Sequence, residues 1–259
     1  MAVAASHHES KPESPVLSVQ MMGMYIFLAS EVMFFATLFG MYFYFVGSHP
    51  FGWPPKGTIP VQFWPLPTVN TVILLSSGVT CHFGLETMRH GRLGRQGSFG
   101  AVLLVIGGAL MAAFGLASIA SDTFAGVLGL VAAVVTLLAV LPMLGAGPFK
   151  ARMAFYGLWV ATILLGIMFE AGQAWEFSHA HIKFQGLNQF GSAFFTLTGF
   201  HGMHVAGGVV LLTLILVRSL RGQFNQRHTV GPAAVTLYWH FVDVVWLALY
   251  SILYLAVTA

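Results

Sequence analysis

Seven long apolar segments alternate along the chain with shorter polar ones. They predict helices at about 20–46, 68–88, 99–120, 124–145, 153–176, 189–217 and 233–256. Apolar segments of about 20 residues with few charges are long enough to cross a lipid bilayer as helices. The pattern therefore predicts an all-α membrane protein with seven transmembrane helices, no internal repeat and no soluble domain.

The first two segments outside the helices differ in character. Residues 1–19 are polar and contain prolines, which predicts a disordered or surface-lying tail. Residues 47–67 combine prolines and glycines with aromatic side chains such as Trp53, which is typical of a loop at the membrane interface. The apolar segment after the tail is too long for a cleavable signal peptide, so no such peptide is predicted.

The third and fourth predicted helices contain almost no polar residues. Asp122, in the tight link between them, carries their only charge. Small residues four positions apart, in the pairs Gly108/Ala112 and Gly129/Ala133, permit helices to approach each other closely.

The composition supports a membrane protein. Of the 259 residues, 57% are hydrophobic and 7% are charged, whereas soluble domains carry about 25% charged residues. The formal net charge of +3 does not indicate nucleic-acid binding, because the Lys and Arg residues lie in short segments between apolar ones. The single cysteine, Cys81, excludes an intrachain disulfide and a cysteine-based metal cluster.

The basic residues predict the orientation of the chain. With seven spans, the N-terminal tail and the segments after the second, fourth and sixth helices lie on one side of the membrane. That side holds nine of the 11 Lys and Arg residues, namely Lys11, Arg89, Arg92, Arg95, Lys150, Arg152, Arg218, Arg221 and Arg227. The opposite side holds only Lys56 and Lys183. The positive-inside rule then predicts a cytoplasmic N-terminus and a C-terminus on the outside.

One carboxylate, Glu31, lies near the middle of the first predicted helix, roughly 15 Å from its start. Its neighbours on the helix are apolar: Phe27, Leu28, Phe34 and Phe35. A charged carboxylate is costly in such surroundings, so we expect Glu31 to be protonated or hydrogen-bonded to another helix. Two roles are open for it: joining helices, or sensing and tuning proton chemistry nearby.

Six further ionisable residues accompany Glu31 in the later helices: His201, His204, His240, Asp243, Glu170 and, at the outer end of its helix, Glu176. The pairs His201/His204 and His240/Asp243 are each three residues apart, which places each pair on one face of a helix. Counting the rise per residue from the cytoplasmic ends puts Glu31, His204 and Asp243 at comparable depths. A contact of Glu31 with His204 or His201 is therefore feasible.

The histidines raise the question of a metal or haem site. A His-x-x-His pair is a possible ligand set, and a membrane haem needs axial histidines at matched depth on facing helices. No further histidine completes such a pattern, and cysteine and methionine are not arranged for copper. Hydrogen bonds between helices are therefore favoured over a haem-binding membrane anchor. A proton transporter built on Glu31 is also disfavoured, because the chain has no repeat symmetry and no paired broken helices.

Six stretches of the chain resemble subunit III of haem–copper oxidases, most closely that of cytochrome c oxidase. They are Leu28-Ala-Ser-Glu31-Val-Met-Phe-Phe, Trp53-Pro-Pro, Asn70-Thr-Val-Ile-Leu-Leu-Ser-Ser-Gly, Gln173-Ala-Trp-Glu176, Thr198-Gly-Phe-His201-Gly-Met-His204-Val and Tyr238-Trp-His240-Phe-Val-Asp243-Val-Val-Trp246-Leu. The resemblance covers roughly 20–92 and 150–257, and the last two motifs are highly specific together. By this resemblance, Glu31 matches the family's membrane-buried, carbodiimide-reactive glutamate.

The resemblance implies an accessory subunit of a terminal oxidase in the inner membrane of a bacterium. Such a subunit holds no catalytic centre, haem or metal, and packs against subunit I in a complex with subunit II and other oxidase subunits. The complex reduces oxygen to water and pumps protons, with haem and copper in the partner subunits. The resemblance further implies support of proton uptake and of the durability of subunit I. An accessory subunit of a quinol oxidase or a nitric oxide reductase is the nearest alternative.

Bound phospholipid is also implied. Arg218 and Arg221 match basic positions near bound lipid in the family, and guanidinium groups at a helix end can pair with phosphate. A purely topological role, as positive charges on the cytoplasmic side, is the alternative for both residues.

The chain departs from the family's long form, in which two helices precede the glutamate-bearing helix and enclose a lipid-filled cleft. Those two helices have no counterpart here. The resemblance instead predicts a five-helix core formed by residues 20–98 and 148–259, with an inserted helix pair in residues 99–147. Because an insertion of two spans preserves the orientation of the later helices, the core bundle is expected to be retained.

Overall fold

The computed structural model describes residues 19–49, 52–55, 64–90, 95–144, 148–180, 189–224 and 228–258. Seven main helices and no strand lie within these ranges, which confirms the predicted all-α architecture. The helices are α1 Val19–Gly47, α2 Leu66–His90, α3 Arg95–Ser118, α4 Thr123–Leu138, α5 Pro148–His179, α6 Gln189–Leu220 and α7 Val230–Leu249. A 3₁₀ turn, Leu141–Leu144, follows α4, and a π-helical segment, Tyr250–Leu255, continues α7.

Six of the seven helices are long and apolar enough to cross a membrane, so the chain is a multi-pass membrane protein. The exception is α4, which has 16 residues and is shorter than the prediction of 124–145. Its start is fixed by Asp122, whose side chain accepts a hydrogen bond from the backbone N–H of Ala125 at 3.0 Å. The helix ends at Leu138 because Pro142 has no backbone N–H to donate to the Leu138 carbonyl.

The centre of the bundle is α2. In its most apolar stretch of 18 residues, 72% of the residues are buried, whereas the corresponding share for α1 is 17%. It packs against α3, α4, α5 and α7. The small hydroxyl residues of α2 allow these neighbouring helices to approach closely. Their hydroxyl groups donate to carbonyls of α2 itself: Thr71 to Pro67 at 2.8 Å and Ser77 to Leu74 at 2.6 Å.

The first helix lies at the edge of the bundle, packed against α6 and α7. Its inward residues Leu28, Phe35 and Tyr42 recur every seven positions and are buried. Its outward residues, such as Met33, are exposed, which suits a face turned toward lipid or another subunit. Glu31 lies between these two faces.

Glycines bring α3 and α4 together. A Cβ atom added at Gly115 would lie 2.9 Å from the Gly126 carbonyl oxygen, and one at Gly129 would lie 3.1 Å from the Met111 carbonyl oxygen. Gly108 is similarly covered by Leu137. The close contact that the sequence predicted for Gly108 and Gly129 is therefore present, with Gly115 and Gly126 as further contact points.

Several predictions concern residues outside the described ranges. They include the N-terminal tail and the loop residues Lys11, Lys56, Arg92, Lys183 and Arg227. The orientation across the membrane stays a prediction, as do the proposed boundaries of the core and of the inserted pair.

Candidate functional site

The carboxylate near the middle of α1 faces a histidine of α6. Glu31 Oε2 and His204 Nε2 lie 2.9 Å apart, and their side chains are 19% and 16% exposed, respectively. The contact that helix depth made feasible is therefore present. Its partial exposure leaves an approach from the outer surface of the bundle.

The second nitrogen of His204 determines what this contact requires. Nδ1 lies 2.7 Å from the backbone carbonyl oxygen of Phe200. Because a carbonyl oxygen can only accept, Nδ1 must carry the hydrogen. The contact between Nε2 and Oε2 then needs one further proton, either on Glu31 or on His204. The pair therefore holds one shared proton and has no net charge in either form.

Aromatic rings surround the pair. The ring centroid of His204 lies 5.0 Å from that of Phe35 and 6.2 Å from that of Phe34. The Tyr238 hydroxyl donates to the backbone carbonyl of His204 at 2.9 Å, which ties α7 to this turn of α6. The pair is therefore bordered by aromatic rings, and its two side chains remain partly exposed.

The other histidine of the α6 pair points into the core. His201 is fully buried, stacks on Trp246 at a centroid distance of 5.1 Å and meets the edge of Phe169 at 5.8 Å. Neither of its ring nitrogens has a hydrogen-bond partner among the described residues. The two histidines of α6 therefore have different surroundings, and Glu31 contacts only His204.

Buried polar side chains join the core helices near His201. Gln173 of α5 donates to the Thr198 carbonyl of α6 at 2.7 Å. Trp246 of α7 donates to the Thr71 hydroxyl of α2 at 3.0 Å. Asn70 of α2 is fully buried, and its amide atoms have no partner within the described part of the chain. The two hydrogen bonds join neighbouring helices, as polar side chains commonly do between membrane helices.

The His–Asp pair of α7 faces α2 rather than α1. His240 Nδ1 lies 3.4 Å from Asp243 Oδ2, a long contact, and a Cβ at Gly78 would collide with the Asp243 carboxylate. The ring of His82, also on α2, lies 6.0 Å from that of His240. Asp243 is therefore separate from the Glu31–His204 pair, despite its comparable predicted depth.

The two glutamates of α5 and the two arginines of α6 lie elsewhere. Glu176 is buried beside the Tyr254 hydroxyl, and Glu170 is partly exposed. Arg218 donates from Nε to Gln223 at 2.7 Å, and Arg221 is exposed at the end of the same helix. The predicted site residues thus form several separate groups.

Within the described ranges, no group of three or more His, Cys, Asp or Glu side chains is arranged to hold a metal ion. The prediction that haem and copper reside in partner subunits stays a prediction.

Comparison with known protein families identifies the family of this chain. The family described as cytochrome c oxidase subunit III matches residues 3–141 and 147–257 of the chain. The chain belongs to this family. The match includes all of α3 and α4, so it is wider than the stretches 20–92 and 150–257 that the motifs delimit.

Relatives named cytochrome c oxidase subunit 3 include proteins from a fungus, an insect and a bacterium. The protein of Rhizopus stolonifer is 31% identical over 240 residues, and that of Drosophila melanogaster is 31% identical over 239 residues. The alignments cover 90% of this chain but only 63% and 67% of those proteins. The protein of Thermostichus vulcanus is 30% identical over 256 residues, covering 98% of this chain and 93% of its own length. The alignment with this last relative thus spans nearly all of both proteins.

Two residues near the predicted sites were not predicted as site residues, although Tyr238 is the first residue of one of the six motifs. Tyr238 and His82 lie in apolar helices, where His82 is an ionisable residue at membrane depth and Tyr238 carries a hydroxyl. Such residues are functional candidates by position alone, which is a signal that the sequence did contain. Their partners depend on how α2 and α7 are rotated, which the sequence does not specify.

Proposed function

We propose that this chain is the accessory, non-redox subunit III of a cytochrome c oxidase that reduces oxygen to water and pumps protons. In this proposal it lies in the inner membrane of a bacterium, packs against subunit I and accompanies subunit II. Membership of the family supports the proposal, and so do the names of the relatives. The chain spans about two thirds of the length of the eukaryotic relatives, so its activity and its partners are part of this proposal.

The Glu31–His204 pair carries the proposed role. It is a proton-holding group at the depth of the bilayer interior, partly exposed on the side of α1. In our proposal it supports proton uptake by subunit I and so prolongs the active life of the enzyme. A carboxylate that only joined helices would need the hydrogen bond to His204 but no exposure, whereas Glu31 is 19% exposed.

Affinity purification tests the assignment. When the chain is tagged and the membrane is solubilised in mild detergent, a haem- and copper-bearing subunit I is expected to co-purify. The chain expressed alone is expected to contain no stoichiometric haem, copper or iron by metal analysis and visible spectroscopy. A haem spectrum of the isolated chain, or a preparation without any haem protein as partner, would contradict the proposal. The donor oxidised by the purified complex distinguishes a cytochrome c oxidase from a quinol oxidase.

Phospholipid binding at the end of α6 is the second part of the proposal. Both Arg218 and Arg221 are exposed there, and a guanidinium group can form two parallel hydrogen bonds with phosphate. Changing both residues to Gln is expected to lower the amount of anionic phospholipid that co-purifies, as measured by mass spectrometry. Arg152→Gln is the matched control, because Arg152 lies on the same predicted side and contacts Tyr156. Equal lipid content in all three preparations would leave only the topological role.

A further inference from the structure

A cavity of about 710 Å³ lies between α2, α3 and α7. Its walls are apolar and include Leu75, Val79 and Leu103. Its rim is open, because the rim residues Phe99 and Val244 are each 64% exposed. The volume is within the range of about 300–1,000 Å³ that is typical of small-molecule sites. The opening faces outward from the bundle.

Three polar side chains line this apolar cavity: His82, His240 and Asp243. Asp243 is 6% exposed, and its Oδ1 atom has no hydrogen-bond partner among the described residues. Its other oxygen, Oδ2, is the one that faces His240. A buried carboxylate oxygen without a partner is costly, and a ligand that donates a hydrogen bond would remove that cost.

Depth restricts the chemistry of the ligand. His82 lies eight residues from the end of α2 at His90, or about 12 Å along the helix. His240 lies ten residues from the start of α7 at Val230, or about 15 Å. Phosphate headgroups stay at the membrane surface, so they do not reach this level. A charged ligand is equally unsuited to this depth.

Three features together define the occupant. It is neutral, it donates a hydrogen bond to Asp243, and it meets a second polar group at His82. A protonated fatty acid can donate to Asp243, but its one carboxyl group would also have to reach His82. An aliphatic alcohol has a single hydroxyl, which would have to donate to Asp243 and accept from His82 at once, although Asp243 lies against Gly78 and His82 is one helical turn, about 6 Å, further along α2. A hydroquinone has two hydroxyls on opposite sides of a flat ring, and each can donate and accept.

We propose that this cavity binds a membrane hydroquinone, with one hydroxyl donating to Asp243 Oδ1, the other meeting His82, and the apolar tail leaving between Phe99 and Val244. The ring lies beside Phe83, whose aromatic side chain lines the same cavity. Binding does not require electron transfer by this chain. The proposal is independent of the oxidase assignment, because it concerns a site built from this chain's own residues.

The test uses the full chain in lipid nanodiscs and a photoreactive decyl-hydroquinone kept reduced with ascorbate. Labelling is expected to saturate, to be competed by unreactive decyl-hydroquinone, and to map to peptides of α2, α3 and α7. Val244→Trp, which fills the mouth, is expected to reduce labelling at least tenfold. His82→Leu is expected to reduce it roughly tenfold, the equivalent of one hydrogen bond.

Both changes are at exposed positions, so the fold is expected to be retained, which size-exclusion chromatography checks. Val210→Trp is the matched control, because Val210 is 59% exposed on α6, away from the cavity. Labelling that Val244→Trp leaves unchanged would overturn the proposal. Competition by decanol as strong as that by decyl-hydroquinone would also overturn it, because the site would then recognise an alkyl chain and not a ring with two hydroxyls.

Discussion

Replacing Trp239 with alanine is expected to prevent the chain from forming a stable bundle. Trp239 is fully buried, and its indole N–H donates to the Ser77 hydroxyl of α2 at 3.0 Å. Its ring fills a slot between α5 and α6, where a Cβ at Gly166 or Gly208 would lie 2.8 or 2.6 Å from it. Truncating such a side chain typically costs about 3–5 kcal/mol, a large share of a protein's total stability.

The measurement is the yield of monodisperse protein after detergent extraction, followed by the midpoint of thermal unfolding. Trp175→Ala is the matched control, because Trp175 is 39% exposed and stacks on Phe124 at the periphery, with ring centroids 4.3 Å apart. A Trp239→Ala protein that is as abundant and as thermally stable as the Trp175→Ala protein would contradict the described packing of α7.

Changing Glu31 is expected to affect the endurance of the oxidase more than its initial rate. In Glu31→Gln, the amide can still donate to Nε2 of His204, so the helix contact and assembly with subunit I are retained. The amide cannot give up or take a proton, so proton uptake loses its support. The variant enzyme is therefore expected to start at the wild-type rate, then to inactivate faster over repeated turnovers, with a larger deficit as pH rises.

Glu31→Ala separates the two roles of the residue. It leaves Nε2 of His204 without a partner at a cost of about 1–3 kcal/mol, so weaker co-purification with subunit I is expected. Oxygen consumption followed over time at several pH values provides the readout for all variants. A Glu31→Gln enzyme that assembles and equals wild type in both endurance and pH profile would reduce Glu31 to a residue that joins helices.

A hydrophobic carbodiimide provides a direct probe of the shared proton. Such reagents modify protonated carboxyl groups, and the 19% exposure of Glu31 leaves a route from the lipid. Labelling of Glu31 is therefore expected in the wild type and is expected to be absent in Glu31→Gln.

The helices were predictable from the sequence because apolar segments of this length have one stable structure in a bilayer. The contact of Glu31 with His204 was also accessible, since counting the helical rise gives depth. The rotation of each helix about its own axis could not be predicted from the sequence. Residues three apart on a helix differ in direction by about 60°, which suffices to send His201 into the core while His204 faces α1.

The shorter α4 and the cavity had different reasons for being missed. Pro142 was present in the sequence, but the apolar segment around it continues to 145, so hydropathy alone gave too long a helix. The cavity depends on Asp243 facing Gly78, a contact between α2 and α7 that are distant in sequence. His82 lines the cavity only because α2 and α7 lie side by side, which the sequence does not show.

The slots filled by α7 have a consequence for how the protein is made. Trp239 and Trp246 occupy spaces in α2, α5 and α6, yet they belong to the last main helix of the described chain. During synthesis, the earlier helices enter the membrane with Ser77 and Thr71 still lacking these partners. A chain interrupted before α7 therefore lacks the two indole rings that occupy these spaces, so its earlier helices are left without their central packing partner.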